Sequence, residues 1–144
     1  MTTDAPQLQR SACTVRKAKP HDVSAILALV RALAEYEGLA DDMRASKGDL
    51  TLSLFGPEPQ AYCFLAEVDG QPAGAAVYFY RFSSFKGDSK LFLDAIYVDD
   101  RFRGYGVGKK LFQALAQTAL HNRCDEIHWR VLDWNKPTIG FYEK

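Results

Sequence analysis

The residues best placed to do chemistry lie in Arg101-Phe102-Arg103-Gly104-Tyr105-Gly106-Val107-Gly108-Lys109-Lys110. The segment follows an apolar run that reads as a strand and opens a run with helical periodicity. Three glycines at alternate positions let a backbone turn sharply and approach a ligand closely. The start of the following helix offers unpaired N–H groups and the positive end of a helix dipole. Such a turn suits a pyrophosphate. From Arg101 to Cys124 the chain carries Arg101, Arg103, Lys109, Lys110 and Arg123 and no Asp or Glu. The alternative is a solvated helix start with ordinary surface charge.

Two common phosphate loops do not fit. A dinucleotide fingerprint requires glycine three residues after Gly106, where Lys109 stands. A Walker A loop requires glycine five residues before Gly108 and Ser or Thr after the lysine, where Arg103 and Lys110 stand. A second chemical group, Asp94, sits inside the apolar run Leu91-Phe92-Leu93-Asp94-Ala95-Ile96-Tyr97-Val98. A carboxylate there either attracts a cation, accepts a proton with a raised pKa, or pairs with an internal arginine.

The elements that must position these groups follow from periodicity. Cys13–Lys17 alternates as a strand, and Pro20 with Asp22 suits a helix start ahead of Val23, Ile26, Leu27, Val30, Leu33 and Ala34. Ser46-Lys47-Gly48-Asp49 forms a capping box before a short helix to Phe55. Strands are expected over 61–68 and 71–82, joined by the hairpin pair Asp69-Gly70, and over 90–98 after a polar loop at 83–89. The helix after the glycine turn carries the stripe Val107, Leu111, Leu115, Ala119 and Leu120 and ends near Asn122. Ile127, Trp129 and Val131 alternate in a further strand, and Pro137 starts a last helix. Three consecutive strands predict an antiparallel half and the strand–helix–strand unit a parallel half, a mixed α/β sheet with helices on both faces.

The chain's 144 residues suffice for one domain, with residues 1–12 a loose arm and 13–144 the folded unit. Eighteen basic and eighteen acidic residues cancel, which disfavours a nucleic-acid partner. No apolar run approaches the roughly 18 residues of a membrane span. Cys13, Cys63 and Cys124 form no CxxC pair, and His21, His121 and His128 lack zinc-hydrolase spacing. A reducing, cytoplasmic setting and no bound metal are expected.

Arg103-Gly104-Tyr105-Gly106-Val107-Gly108 resembles the R/Q-x-x-G-x-G/A acetyl-CoA motif of the GNAT superfamily of N-acetyltransferases. The resemblance extends over most of the chain from Val15 to Lys144. Leu33-Ala34-Glu35-Tyr36-Glu37, Leu93–Val98 and Val131–Tyr142 are similar to the branch of spermidine/spermine (diamine) and thialysine acetyltransferases. The resemblance implies acetyl transfer from acetyl-CoA to a primary amine of a small cationic acceptor, by direct attack in a ternary complex. It implies that backbone groups of Ile96, Tyr97 and Val98 pair with the pantetheine arm. The turn of Arg103, Gly104, Tyr105, Gly106, Val107, Gly108 and Lys109 then holds the pyrophosphate, and Asn135 bonds the CoA arm. Tyr142 protonates the departing thiolate, Asp94 binds the amine and assists its deprotonation, and Tyr36, Glu37 and His128 line the acceptor site. A homodimer is expected on the same ground.

Two positions depart from that branch. Its glutamate is the shorter Asp94, and the acidic residue after it is Ala95. The family also continues beyond the position of Lys144 with two more strands, so the domain is expected to lack its last strands as given. Two other readings are a catalytically silent acyl-CoA-binding regulatory module and an acetyltransferase of peptide or protein amines.

Overall fold

The computed structural model describes residues 12–129. Strand β1 (Cys13–Lys17) is followed by a 3₁₀ turn (Pro20–Asp22), helix α1 (Val23–Tyr36) and helix α2 (Lys47–Phe55). Then come β2 (Tyr62–Val68), β3 (Gln71–Ser83), β4 (Asp88–Val98), helix α3 (Val107–His121) and β5 (Ile127–Trp129). The strands form one sheet in the order β1-β2-β3-β4-β5. Each neighbouring pair among the first four is antiparallel, and β5 runs parallel to β4. The mixed sheet expected from the order of elements is the one observed.

Local chemistry accounts for the turns. Asp69 and Gly70 both take positive φ, +55° and +74°, as a two-residue hairpin with right-handed twist requires. Ser46 Oγ accepts from Asp49 N–H at 3.1 Å and Asp49 Oδ2 accepts from Ser46 N–H at 2.9 Å, closing the capping box. The polar loop between β3 and β4 is shorter than expected, because Ser83 still pairs with Asp88. Polar residues extend both strands into solvent, where alternation carries no apolar signal.

Both faces of the sheet are covered. On one, α3 buries Val107, Leu111, Leu115 and Ala119 against Phe64, Ala66, Tyr78, Leu91 and Leu93. On the other, α1 and α2 bury Ile26, Leu29 and Leu54 against Cys63, Leu65 and Ala75. Leu120 is not part of the stripe: it is 75% exposed, because one residue past Ala119 turns about 100° around the helix and away from the sheet. The three cysteines are free and buried.

A charged knot ties β1 to the start of α1. Arg16 meets the buried Asp22 through both guanidinium nitrogens, at 2.8 and 3.0 Å, and Glu67 through Nε at 3.0 Å. Asp22 also accepts from Lys19 N–H at 2.7 Å. The fork from Arg16 holds the Asp22 carboxyl below the usual carboxylate range. Replacing Asp22 with Ala leaves Arg16 with Glu67 alone and frees the Lys19 amide, and should lower unfolding free energy in urea by about 1–2 kcal/mol at neutral pH. The sign with pH follows from the depressed value. The wild-type advantage is complete above the unfolded carboxyl pKa of about 3.9 and fades as pH falls through the lower folded value.

Candidate functional site

The glycine turn begins where β4 ends. Asp99 caps the 3₁₀ turn Asp100–Phe102 by accepting from Arg101 N–H at 3.0 Å, and its carboxylate also holds the Arg101 guanidinium at 2.9 Å. Asp100 holds Arg103 at 2.8 Å. The two arginines are therefore neutralised by acids just upstream of the acid-free stretch, and the charge argument moves to the helix. Lys109 and Lys110 are exposed and make no ion pair among the described residues. Gly104 and Gly106 take φ of +88° and +74°, where an L side chain is strained. Lys110 N–H is bonded back to Gly106 O at 3.0 Å, which leaves the amides of Val107, Gly108 and Lys109 without an intrahelical acceptor. Three amides, a dipole end and two lysines fit an anionic phosphate group.

Gly74 on β3 sets how deep this turn sits. A Cβ there would lie 2.8 Å from the Tyr97 carbonyl oxygen and 2.8 Å from Val107 Cγ1. Only a residue without a side chain lets the first turn of α3 lie on β3 and β4. The sequence reading did not single out Gly74, since a lone glycine in a strand has several explanations.

Strand β4 carries an irregularity at the candidate carboxylate. Leu93 is opposite Tyr78 and Ala95 is opposite Val77, so Asp94 has no partner on β3. One extra residue shifts the alternation. Leu91 and Leu93 face α3 before it, and Ile96 and Val98 face α3 after it. Tyr97 packs on the α1 side. The side chains of Ile96 and Val98 are thus spent on the core, and their backbone is what remains for a ligand. Among the described residues, Ala95 to Val98 pair only with β3, and the opposite edge of that segment has no strand beside it.

Asp94 reaches solvent, yet its carboxyl is pushed above its usual value by burial alone. No ion-pair partner of Asp94 stands among the described residues, so the internal-arginine alternative gains no support there. Phe92 precedes it on the same face. Phe92 stacks on Phe79 of β3 with centroids 5.5 Å apart and on His128 of β5 at 4.9 Å. His128 Nε2 also meets Glu126 Oε1 at 2.7 Å.

The end of α1 carries two more of the expected site residues. Tyr36 is its last residue and Glu37 its C-cap. Burial raises the Glu37 carboxyl, and no charged neighbour contributes to that shift or to the one at Asp94, so the two acids are not a coupled pair. Tyr36 and Tyr97 both act electrostatically on Arg103. The structure therefore groups Tyr36, Tyr97 and Arg103 at the turn, and Asp94 with His128 along the sheet. Asn135, Tyr142 and the helix expected from Pro137 lie outside the described residues. Among the described residues no group of three or more His, Cys, Asp or Glu could hold a metal ion, and no helix is long and apolar enough to cross a membrane.

Gly74→Ala should lower stability by about 1–3 kcal/mol in thermal or urea melts, because the new methyl meets backbone and cannot be accommodated by a rotamer change. Asp94→Asn should raise stability at neutral pH. A carboxyl with a raised folded pKa costs folding energy while ionised, so the gain should shrink as pH falls through that value. A carboxyl-carbon NMR titration placing Asp94 at or below about 3.9 would contradict its desolvation.

Residues 29–144 match the acetyltransferase (GNAT) family. A thialysine N-epsilon-acetyltransferase of Bos taurus is 37% identical over 137 residues, 90% of this chain and 80% of that protein. A spermidine/spermine N(1)-acetyltransferase-like protein of Homo sapiens is 33% identical over 135 residues, 89% of this chain and 19% of that one. An aminoglycoside N-acetyltransferase solved in complex with CoA shares the fold, with a TM-score of 0.70 at 19% identity over 92% of this chain and 86% of that one. A glycine turn seated on the sheet by Gly74, a strand bulged at Asp94 and this extended similarity converge on one assignment: the chain belongs to the GNAT family of acetyltransferases and is an N-acetyltransferase.

Proposed function

We propose that this chain transfers the acetyl group of acetyl-CoA to a primary amine of a small cationic acceptor, by direct attack in a ternary complex. The observation that carries the reading is the bulge that sets Asp94, desolvated and without a described partner, on the strand leading into the glycine turn. GNAT acetyltransferases use acetyl-CoA, and the relatives named above act by their names on thialysine and on spermidine or spermine.

Bound acetyl-CoA supplies an acetyl group activated as a thioester. The amides of Val107, Gly108 and Lys109, with Arg103, Gly104, Tyr105 and Gly106 shaping the turn, hold its pyrophosphate. The free edge of Ile96, Tyr97 and Val98 pairs with the pantetheine arm as a strand would. Asn135 is assigned to the same arm.

The acceptor arrives as an alkylammonium with a pKa near 10.4 and is not nucleophilic until it loses a proton. Asp94 attracts the cation, and Tyr36, Glu37 and His128 line its approach. Even a raised carboxyl stays far below the amine in basicity, so the proton leaves through ordered water beside Asp94 rather than onto it directly. The freed nitrogen then adds to the thioester carbonyl. An amide released from the ladder at the bulge suits the developing oxyanion. The carbon–sulfur bond breaks, and the Tyr142 phenol, with a pKa near 10, returns a proton to the thiolate. Residues 13–144 are assigned to this one domain, and the active form to a homodimer.

The test is CoA release with spermidine, putrescine, thialysine, lysine and a basic peptide. Saturable release with one small amine, falling about 10²–10⁴-fold in kcat/KM in Asp94→Asn, supports the reading. Acetyl-CoA binding without release for any amine supports a silent binding module instead. Unchanged release in Tyr142→Phe removes that phenol from the mechanism.

A further inference from the structure

The sheet face that carries Asp94 also carries a cation. Arg81 on β3 pairs in register with Lys90, shares its face with Phe79, and leans over the Phe92 ring with its guanidinium carbon 5.8 Å from the centroid. It is exposed, and no carboxylate pairs with it among the described residues. The acids at that end gather on Lys90. Lys90 holds Asp88 at 3.7 Å and Glu126 at 3.6 Å and also binds Asp125, while Glu126 is bonded to His128 as well. Moving away from the glycine turn along β4, the face therefore runs from Asp94, across the aromatic row Phe79, Phe92 and His128, to an unneutralised guanidinium.

The spacing matches one acceptor chemistry. Phe92 is two residues from Asp94, about 7 Å along a strand. The guanidinium over Phe92 thus lies about one such step from the carboxylate. An extended lysine-type side chain separates its terminal nitrogen from its carboxylate carbon by about 7 Å. Its methylenes would cross the apolar row while its ends meet opposite charges. A diamine or polyamine of the same length would place its second ammonium against Arg81, and like charges at that range repel.

We infer that Arg81 is a specificity-determining residue that docks a carboxylate at the far end of the acceptor, so that the acceptor is an amino acid with a terminal amine rather than a polyamine. The inference rests on the reading of Asp94 as the ammonium site. Arg81 touches the end of the acceptor remote from the reacting nitrogen, and so governs binding more than the chemical step.

Three acceptors isolate the carboxylate: lysine, 6-aminohexanoate, which lacks the α-amine, and 1,5-diaminopentane, which lacks the carboxylate. The wild-type enzyme should show lower KM for the first two than for the diamine. Arg81→Gln, an exposed change, should raise KM for both carboxylate acceptors about tenfold or more. It should leave kcat within about threefold and leave the diamine KM unchanged or lower. Arg81→Lys should recover part of the loss. Equal KM changes for all three acceptors, or none, overturn the role of Arg81. Wild-type turnover that depends on Asp94 but prefers the diamine to both carboxylate acceptors overturns it while leaving the amine-acetylation reading intact. Absence of wild-type turnover with every amine overturns both.

Discussion

Between Leu93 and Ala95, strand β4 carries one residue more than the strand opposite. A pleated strand alternates its side chains with period two, so one inserted residue exchanges the faces of everything after it. The ladder absorbs Asp94 as that residue. Leu91 and Leu93 fill the core under α3, and after the insertion Ile96 and Val98 continue the same layer. Without the insertion Ala95 and Tyr97 would take those places, and the packing under the start of α3 would change. The bulge thus reconciles a continuous core with a carboxylate on the opposite face, and it releases backbone groups from the ladder beside that carboxylate.

The other anchor is steric. Gly74 lets Val107 descend until a methyl group could not fit between helix and sheet. The glycine turn is held there, and its amides open beside the edge of β4 that no described strand covers. Charge contributes less than the run of basic residues implies. Arg101 and Arg103 are occupied by Asp99 and Asp100, which shape the turn. The remaining positive field comes from backbone amides and from Lys109 and Lys110, which are in place before any ligand arrives. Such preorganised donors need no rearrangement to receive an anion.

On the face away from α3, desolvation and exposure coexist. Asp94 is raised by its surroundings, whereas Asp22, more deeply buried, is lowered by Arg16. The contrast separates two uses of a carboxylate in one small fold: a paired acid that fastens β1 to α1, and one left with its desolvation cost uncompensated. Retaining the second against its stability cost is the pattern expected of a working group.

Much of this was legible in the residues. Hydrophobic period, the Asp69-Gly70 pair and the Ser46/Asp49 box specify their elements through interactions between near neighbours, so the sequence alone carries them. The glycine turn is legible for the same reason, since its conformational demand is local. Leu120, placed in the wrong layer, shows the limit of a stripe drawn with one residue too many. The bulge is illegible because Ala95, Ile96, Tyr97 and Val98 are all apolar, so a change of face leaves no trace in their alternation. Gly74 acquires meaning only when α3 returns over it from more than thirty residues downstream. Arg81 and Phe92 become neighbours only through the β3–β4 register. The sequence by itself determined the elements and the turn chemistry, which depend on residues a few positions apart. The tertiary structure alone decided which residue of β4 falls at the bulge and which cation shares its face, because strand register and helix depth are set by contacts between distant segments.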